Sequence, residues 1–107
     1  MAPNPNFSSR SRYDYNLVIA AKDGDQRAYS ELLDRYRSVV YYMLLKLIKN
    51  DRDADELTIE VFEKAFLKLH QYTPDYAFCT WLFKIAYNYG LDYLRKKARQ
   101  RHVSIDN

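Results

Sequence analysis

The chain has 107 residues, 48% hydrophobic and 29% charged, with a net charge of +3; this fits one globular domain with one modest core and excludes a disordered chain. A single cysteine, Cys79, excludes an internal disulfide, and no apolar run reaches the length of a membrane span or of a signal-peptide core, so a cytoplasmic protein is expected. Two glycines are few, and all three prolines stand outside the long periodic stretches, which favours helices.

Residues 1–12 are polar, hold Pro3 and Pro5, and read as a flexible lead. Asp14 is placed to cap a short first helix with Leu17, Val18, Ala20 and Ala21, ended by Gly24 in a left-handed conformation. Asp25 caps a second helix from about Gln26 to Lys49. Its apolar stripe is Ala28, Leu32, Tyr36, Val39, Met43 and Leu47, widened by Leu33, Val40, Leu44 and Ile48. After a break at Asn50 and Asp51, Asp53 and Glu56 form a capping-box-like start to a third helix. That helix carries Leu57, Val61, Phe62, Ala65, Phe66 and Leu69 on one side and ends at His70. Pro74 marks a turn, and Asp75 caps a fourth helix from about Phe78, with Trp81, Leu82, Ile85, Ala86, Tyr89 and Tyr93 at helical spacing. Gly90 inside that pattern points to close approach by a neighbouring helix. Periodicity fades after Leu94, and the basic tail reads as frayed. The fold class expected is all-α, a compact bundle of about four helices.

Charge is segregated along the chain. Asp51, Asp53, Asp55, Glu56 and Glu60 stand against Arg52 alone, whereas Arg95, Lys96, Lys97, Arg99 and Arg101 have no acid among them. Two partners of opposite charge account for this pattern, and so do two solvated helix ends obeying the helix dipole. His70 and His102 lie far apart with no ligand partner at metal spacing, and no phosphate loop or nucleophile elbow is present. No enzyme, metal or cofactor is therefore expected. Tyr72, Tyr76, Phe78, Trp81 and Tyr87 gather near Lys84, Arg95, Lys96 and Lys97. Cations that neutralise phosphates beside rings that take unstacked bases suit a single strand; the alternative is that Phe78 and Trp81 are bundle core, which the apolar stripe favours for Trp81, and that the tyrosines line its rim. Asn88 adds a group able to pair with a base edge or phosphate.

Asp53-Ala54-Asp55-Glu56-Leu57-Thr58-Ile59-Glu60-Val61-Phe62-Glu63-Lys64-Ala65 resembles the core-binding segment of bacterial RNA polymerase sigma factors. Phe78-Cys79-Thr80-Trp81-Leu82-Phe83-Lys84-Ile85-Ala86-Tyr87-Asn88, followed by Leu91-Asp92-Tyr93-Leu94-Arg95-Lys96, resembles their promoter-melting and minus-ten segment. Leu17-Val18, Ala20-Ala21, Gly24-Asp25, Ala28-Tyr29 and Arg35-Tyr36 are similar to the extracytoplasmic-function group. The resemblance runs from Tyr13 to about Arg101, so residues 13–101 are expected to form the N-terminal helical domain known as region 2.

The resemblance implies a domain that binds core polymerase, recognises the minus-ten element and helps melt DNA for transcription initiation. Asp55, Glu56, Leu57, Glu60 and Phe62 would meet the clamp helices of the β′ subunit. The loop of Tyr72, Thr73, Pro74, Asp75, Tyr76 and Ala77 would hold a base of the non-template strand. Lys64, Trp81, Lys84, Asn88, Arg95 and Lys96 would serve the DNA path. An anti-sigma factor is a further expected partner, and insertion into a membrane is not expected. Three departures stand out: Ile59 replaces a common Gln, Cys79 a frequent Arg, and Thr73, Pro74 and Tyr76 the usual residues of the base-holding loop. The altered Thr73, Pro74 and Tyr76 keep open a second reading, a sigma-like interaction module that binds polymerase or a regulator without melting a promoter. Residues 102–107 read as the start of a linker, and the chain as one domain of a longer factor that carries a second, minus-thirty-five-binding domain.

Overall fold

Ser8 starts the first helix. Its hydroxyl accepts the Ser11 N–H at 3.1 Å, which satisfies one of the donors a helix start leaves free. In the computed structural model, which describes residues 2–106 and the side chains of residues 2–101, α1 runs Ser9–Lys22, α2 Gln26–Ile48, α3 Asp51–Leu67 and α4 Phe78–Asp106. A 3-10 turn, Leu69–Gln71, follows α3. Asp14 is thus not a cap: it lies inside α1 and is buried. The helix also takes in Ser9–Arg12, part of the stretch read as a lead.

The joints are short and chemically explicit. Gly24 follows α1 at φ +95°, a conformation that costs glycine little, and Asp25 then accepts the Arg27 N–H at 2.9 Å. Lys49 ends α2 in the left-handed region at φ 57° with its N–H on the Leu45 carbonyl. Asn50 caps α3 by accepting the Asp53 N–H at 2.9 Å. The Asp53–Glu56 box is therefore displaced by an Asn three residues earlier, which leaves Asp51 and Asp53 in the first turn, where the helix dipole favours them. The third helix stops at Leu67, not His70, because Lys68 leaves helical geometry and the chain tightens into the 3-10 turn.

α2 is the central element and packs on α1, α3 and α4, while α3 also packs on α4. Its buried face is Ala28, Leu32, Tyr36, Val40, Leu44 and Ile48, at intervals of four; Val39 is 47% exposed, so the core stripe lies one position round from the one expected. Val18, Val61, Phe78, Leu82 and Ala86 close the core from the other helices. Gly90 does mark a close approach: a Cβ there would lie 2.4 Å from Leu47 Cδ2. α4 stays helical to Asp106 although its core periodicity ends near Leu94, so backbone helix outlasts packing. The linker expected at residues 102–107 falls where α4 continues to Asp106, and its side chains lie outside the described residues.

Polar groups tie the helices together inside the bundle. Asp14 on α1 accepts from Arg35 Nε at 2.7 Å and from the Tyr36 hydroxyl on α2. The Tyr93 hydroxyl of α4 donates to Asp53 of α3, and the Tyr72 hydroxyl donates to the Tyr76 carbonyl at 2.6 Å. Thr58, buried on α3, returns its hydroxyl to the Ala54 carbonyl at 2.7 Å. No buried side-chain nitrogen or oxygen is left without a partner among the described residues.

Two predictions arise from these links. Arg35→Ala strands a buried carboxylate and should lower unfolding free energy by about 3 kcal/mol, whereas Asp92→Ala, which breaks only the exposed pair with Arg95, should change it by under about 1 kcal/mol; urea titration separates the two. Burial raises the Tyr72 phenol to about 12. The bond to Asp53, with burial, raises Tyr93 to about 12, and burial with Asp14 pushes Tyr36 up as well. Folding favours the neutral phenols, whose unfolded value is about 10, so this contribution is complete below pH 10 and is lost as pH rises from about 10 to about 12. Urea midpoints should fall steeply across that window, and Tyr72→Phe and Tyr93→Phe should each flatten part of the slope.

Candidate nucleic-acid and protein interfaces

The segment between the 3-10 turn and α4 is keyed to the core at one residue. Tyr72 is 2% exposed, its ring lies 5.8 Å from Phe78 and 5.6 Å from Trp81 by centroid, and Phe78 meets Tyr36 of α2. Edge and tilted contacts of this kind add to the stabilisation from area alone. Pro74 is also buried, Thr73 half-buried, and Asp75 and Tyr76 exposed. The Asp75 carboxylate accepts from the Thr73 hydroxyl at 3.2 Å and does not cap α4, at whose start the Thr80 and Trp81 N–H groups reach the Ala77 carbonyl. A recess of about 200 Å³ opens between this loop and α1, walled by Val18, Ile19, Lys22, Thr73 and Pro74 among others.

From the loop an exposed strip runs along α4. Thr80, Lys84, Tyr87, Asn88 and Arg95 are all exposed, and their spacing puts them in one sector of the helix. Trp81 is half-buried at the edge of that sector, with one side against Phe78 at 5.9 Å. It is both core and rim. The strip carries cations, a carboxamide and a half-exposed ring, with Asp92 paired to Arg95 at 2.9 Å beside it.

α3 presents the acidic surface. Asp55, Glu56, Ile59, Glu60 and Glu63 are exposed, whereas Leu57 is 8% and Phe62 4% exposed. The last two support the surface from beneath and do not form it. Lys64 and Lys96 do not lie along the α4 strip; they line a groove of about 550 Å³ between α3 and α4, with Leu57, Glu60, Tyr89 and Tyr93. Basic and acidic candidates expected on different surfaces thus share this groove. Between α2 and α3 a second, more apolar groove of about 630 Å³ is lined by Tyr29, Leu33, Phe66 and Leu67 among others; helical periodicity places Leu33 and Phe66 on apolar faces and assigns nothing to Tyr29 or Leu67.

The structure also brings to the loop residues that the sequence did not connect with it. Asn4 donates its N–H to the Pro74 carbonyl and its Nδ2 to the Asp75 carbonyl, both at 3.0 Å, and Lys22 Nζ approaches the Tyr72 carbonyl at 3.4 Å. The Pro-Asn-Pro run is a turn signal, but nothing in it names a target some seventy residues away. Among the described residues no group of three or more His, Cys, Asp or Glu is arranged to hold a metal ion, and no helix is long and apolar enough to cross a membrane.

A family profile described as Sigma-70 region 2 matches residues 32–100. The chain is 32% identical over 89 residues to the ECF RNA polymerase sigma factor SigW of Bacillus subtilis, covering 83% of this chain and 48% of that protein. It is 33% identical over 87 residues to the ECF RNA polymerase sigma-E factor of Escherichia coli, covering 81% and 45%. The chain spans about half the length of the curated relatives it matches. Among solved structures, an engineered region 2 of sigmaE in complex with GTAAAA superposes with a TM-score of 0.74 at 28% identity, over 91% of this chain and 96% of that one. By this match and these likenesses the chain belongs to the sigma-70 region 2 family, and its likeness there is to the ECF sigma factors.

Proposed function

We propose that this domain couples core RNA polymerase, through the acidic face of α3, to an unpaired minus-ten strand along α4 and the loop of residues 72–77. The observation that carries this reading is the arrangement of exposed side chains. Asp75 and Tyr76 lead directly into Thr80, Lys84, Tyr87, Asn88 and Arg95, a basic and aromatic path of the kind that holds single strands. The likeness to an engineered region 2 in complex with GTAAAA supports it. In this reading the loop accepts a base that has left the stack, and Lys84 and Arg95 neutralise phosphates. Asn88 offers a hydrogen-bonding edge, and Trp81 supports the path at its side. Capture of extruded bases offsets an unpairing cost of a few kcal/mol, so melting is assisted by binding and no covalent step is needed. The setting is cytoplasmic, and an anti-sigma factor would act by covering one of these faces.

Glu56 and Glu60, with the exposed Ile59 between them, form the polymerase face in this reading, while buried Leu57 and Phe62 hold α3 in register. Lys64 and Lys96 flank that face in the α3–α4 groove, where they meet whichever of the two partners reaches over the edge.

Two experiments test the halves separately. A β′ clamp-helix fragment should retain the unsubstituted domain on a column and lose it with Glu56→Lys or Glu60→Lys, both at exposed positions that leave the fold intact; retention of both variants would sink the polymerase assignment. On a GTAAAA oligonucleotide, Lys84→Ala and Arg95→Ala should each weaken binding and reduce the slope of log affinity against log salt by about 0.7. Asn88→Ala should weaken binding with the slope unchanged. A slope insensitive to both cations would remove α4 from the strand path.

A further inference from the structure

We propose that Asn4 is a positioning residue for the base-holding loop: residues 3–7 fold back and set the loop's backbone before any strand arrives. This inference rests on the reading that the loop accepts a base.

The loop's carbonyl groups carry the case. Those of Tyr72, Pro74, Asp75 and Tyr76 each accept a hydrogen bond from a donor within the chain: Lys22 Nζ, the Asn4 N–H, Asn4 Nδ2 and the Tyr72 hydroxyl in turn. Asn4 supplies two of these four, on adjacent residues, from a segment far away in sequence. Asn4 is itself held: its Oδ1 accepts the Asn6 N–H at 2.9 Å and its carbonyl accepts the Phe7 N–H at 3.1 Å. Every polar group of the residue is therefore engaged, two in closing its own turn and two in gripping the loop. The turn is anchored in its turn to α1, since Arg12 reaches the Pro5 carbonyl at 3.5 Å.

The grip falls where it leaves side chains free. The Pro74 and Asp75 carbonyls are spent on Asn4, while Asp75 and Tyr76 keep exposed side chains. A loop fixed in this way loses less conformational freedom on binding, and its discrimination between bases depends on the fixed geometry. Asn4 touches no base in this account. It acts through the positions of Pro74 and Asp75, which is why base choice, and not general affinity, is its signature.

Asn4→Asp is the informative substitution. It keeps the acceptor for the Asn6 N–H and the size of the side chain, and replaces the donor to Asp75 with a carboxylate oxygen. Asn4→Ala removes the donor without adding charge. Binding of the 107-residue domain would be measured against GTAAAA and a set of strands with one base changed at each position, together with salt slope and thermal midpoint. Both variants should bind GTAAAA about fivefold more weakly, and the ratio between favoured and disfavoured bases should collapse toward one. The salt slope set by Lys84 and Arg95 and the thermal midpoint should stay as they are. A full discrimination ratio in both variants overturns the inference while the base-holding reading stands. An unsubstituted domain that binds every strand alike overturns the base-holding reading itself, and this inference with it, before any variant is made.

Discussion

The bundle depends on one buried carboxylate. Asp14 is fully enclosed, and a lone ionised acid in such a place is costly enough to unfold a small domain unless it is paired and hydrogen-bonded. Arg35 and Tyr36, adjacent on α2, both reach it. The guanidinium also lies over the Tyr13 ring at 4.8 Å. α1 is short, with Val18 and Ala21 as its buried apolar residues, so apolar area alone would hold it loosely and in several rotations about its axis. The ion pair selects one. Set in that register, α1 brings Lys22 to the loop and directs the N-terminal turn across it.

Tyr36 passes this constraint on. Its hydroxyl serves Asp14 while its ring meets Phe78 and Phe83 of α4 at 6.0 Å. Phe78 in turn packs on Tyr72 and Trp81, and Tyr72 holds the Tyr76 carbonyl. A continuous run of touching groups thus leads from the acid under α1 to the tip of the loop. The two outer surfaces are built differently. The acidic face of α3 needs only a helix with buried Leu57, Val61 and Phe62 beneath it, and it tolerates change. The loop needs every link of the run.

Much of this was legible in the sequence, and the failures have physical causes. The helices could be read from apolar spacing and from Gly24, Asp25 and Pro74, because those signals are local. The sequence motifs also led to the family. Asp14 reads as a cap from sequence because an acid before an apolar stretch is more commonly the sign of a helix start than of a buried ion pair; only the Arg35 and Tyr36 positions, two turns into another helix, decide otherwise. Asn50 and Asp53 are both good cap residues, and the choice between them rests on where α2 unwinds at Lys49, which the sequence does not show. For Tyr72 the sequence leaves base-stacking ring and bundle rim both open, and its burial depends on Phe78 and Trp81 arriving from α4. Around Asn4 the sequence signals a turn but no target, because its partners are backbone carbonyls, which every residue has.

α4 runs unbroken from the loop to its basic end, and a helix has a fixed rise. Phe78 and Arg95 are seventeen residues apart, so about 25 Å of axis separates loop from cation at 1.5 Å per residue. Gly90 lies within that span, but it is clasped by Leu44 and Leu47 and offers no hinge. In the proposed function the helix is therefore a ruler: a strand seated at both ends would have to match its length, and the count of nucleotides between the held base and the last neutralised phosphate would be set by the protein before either is bound.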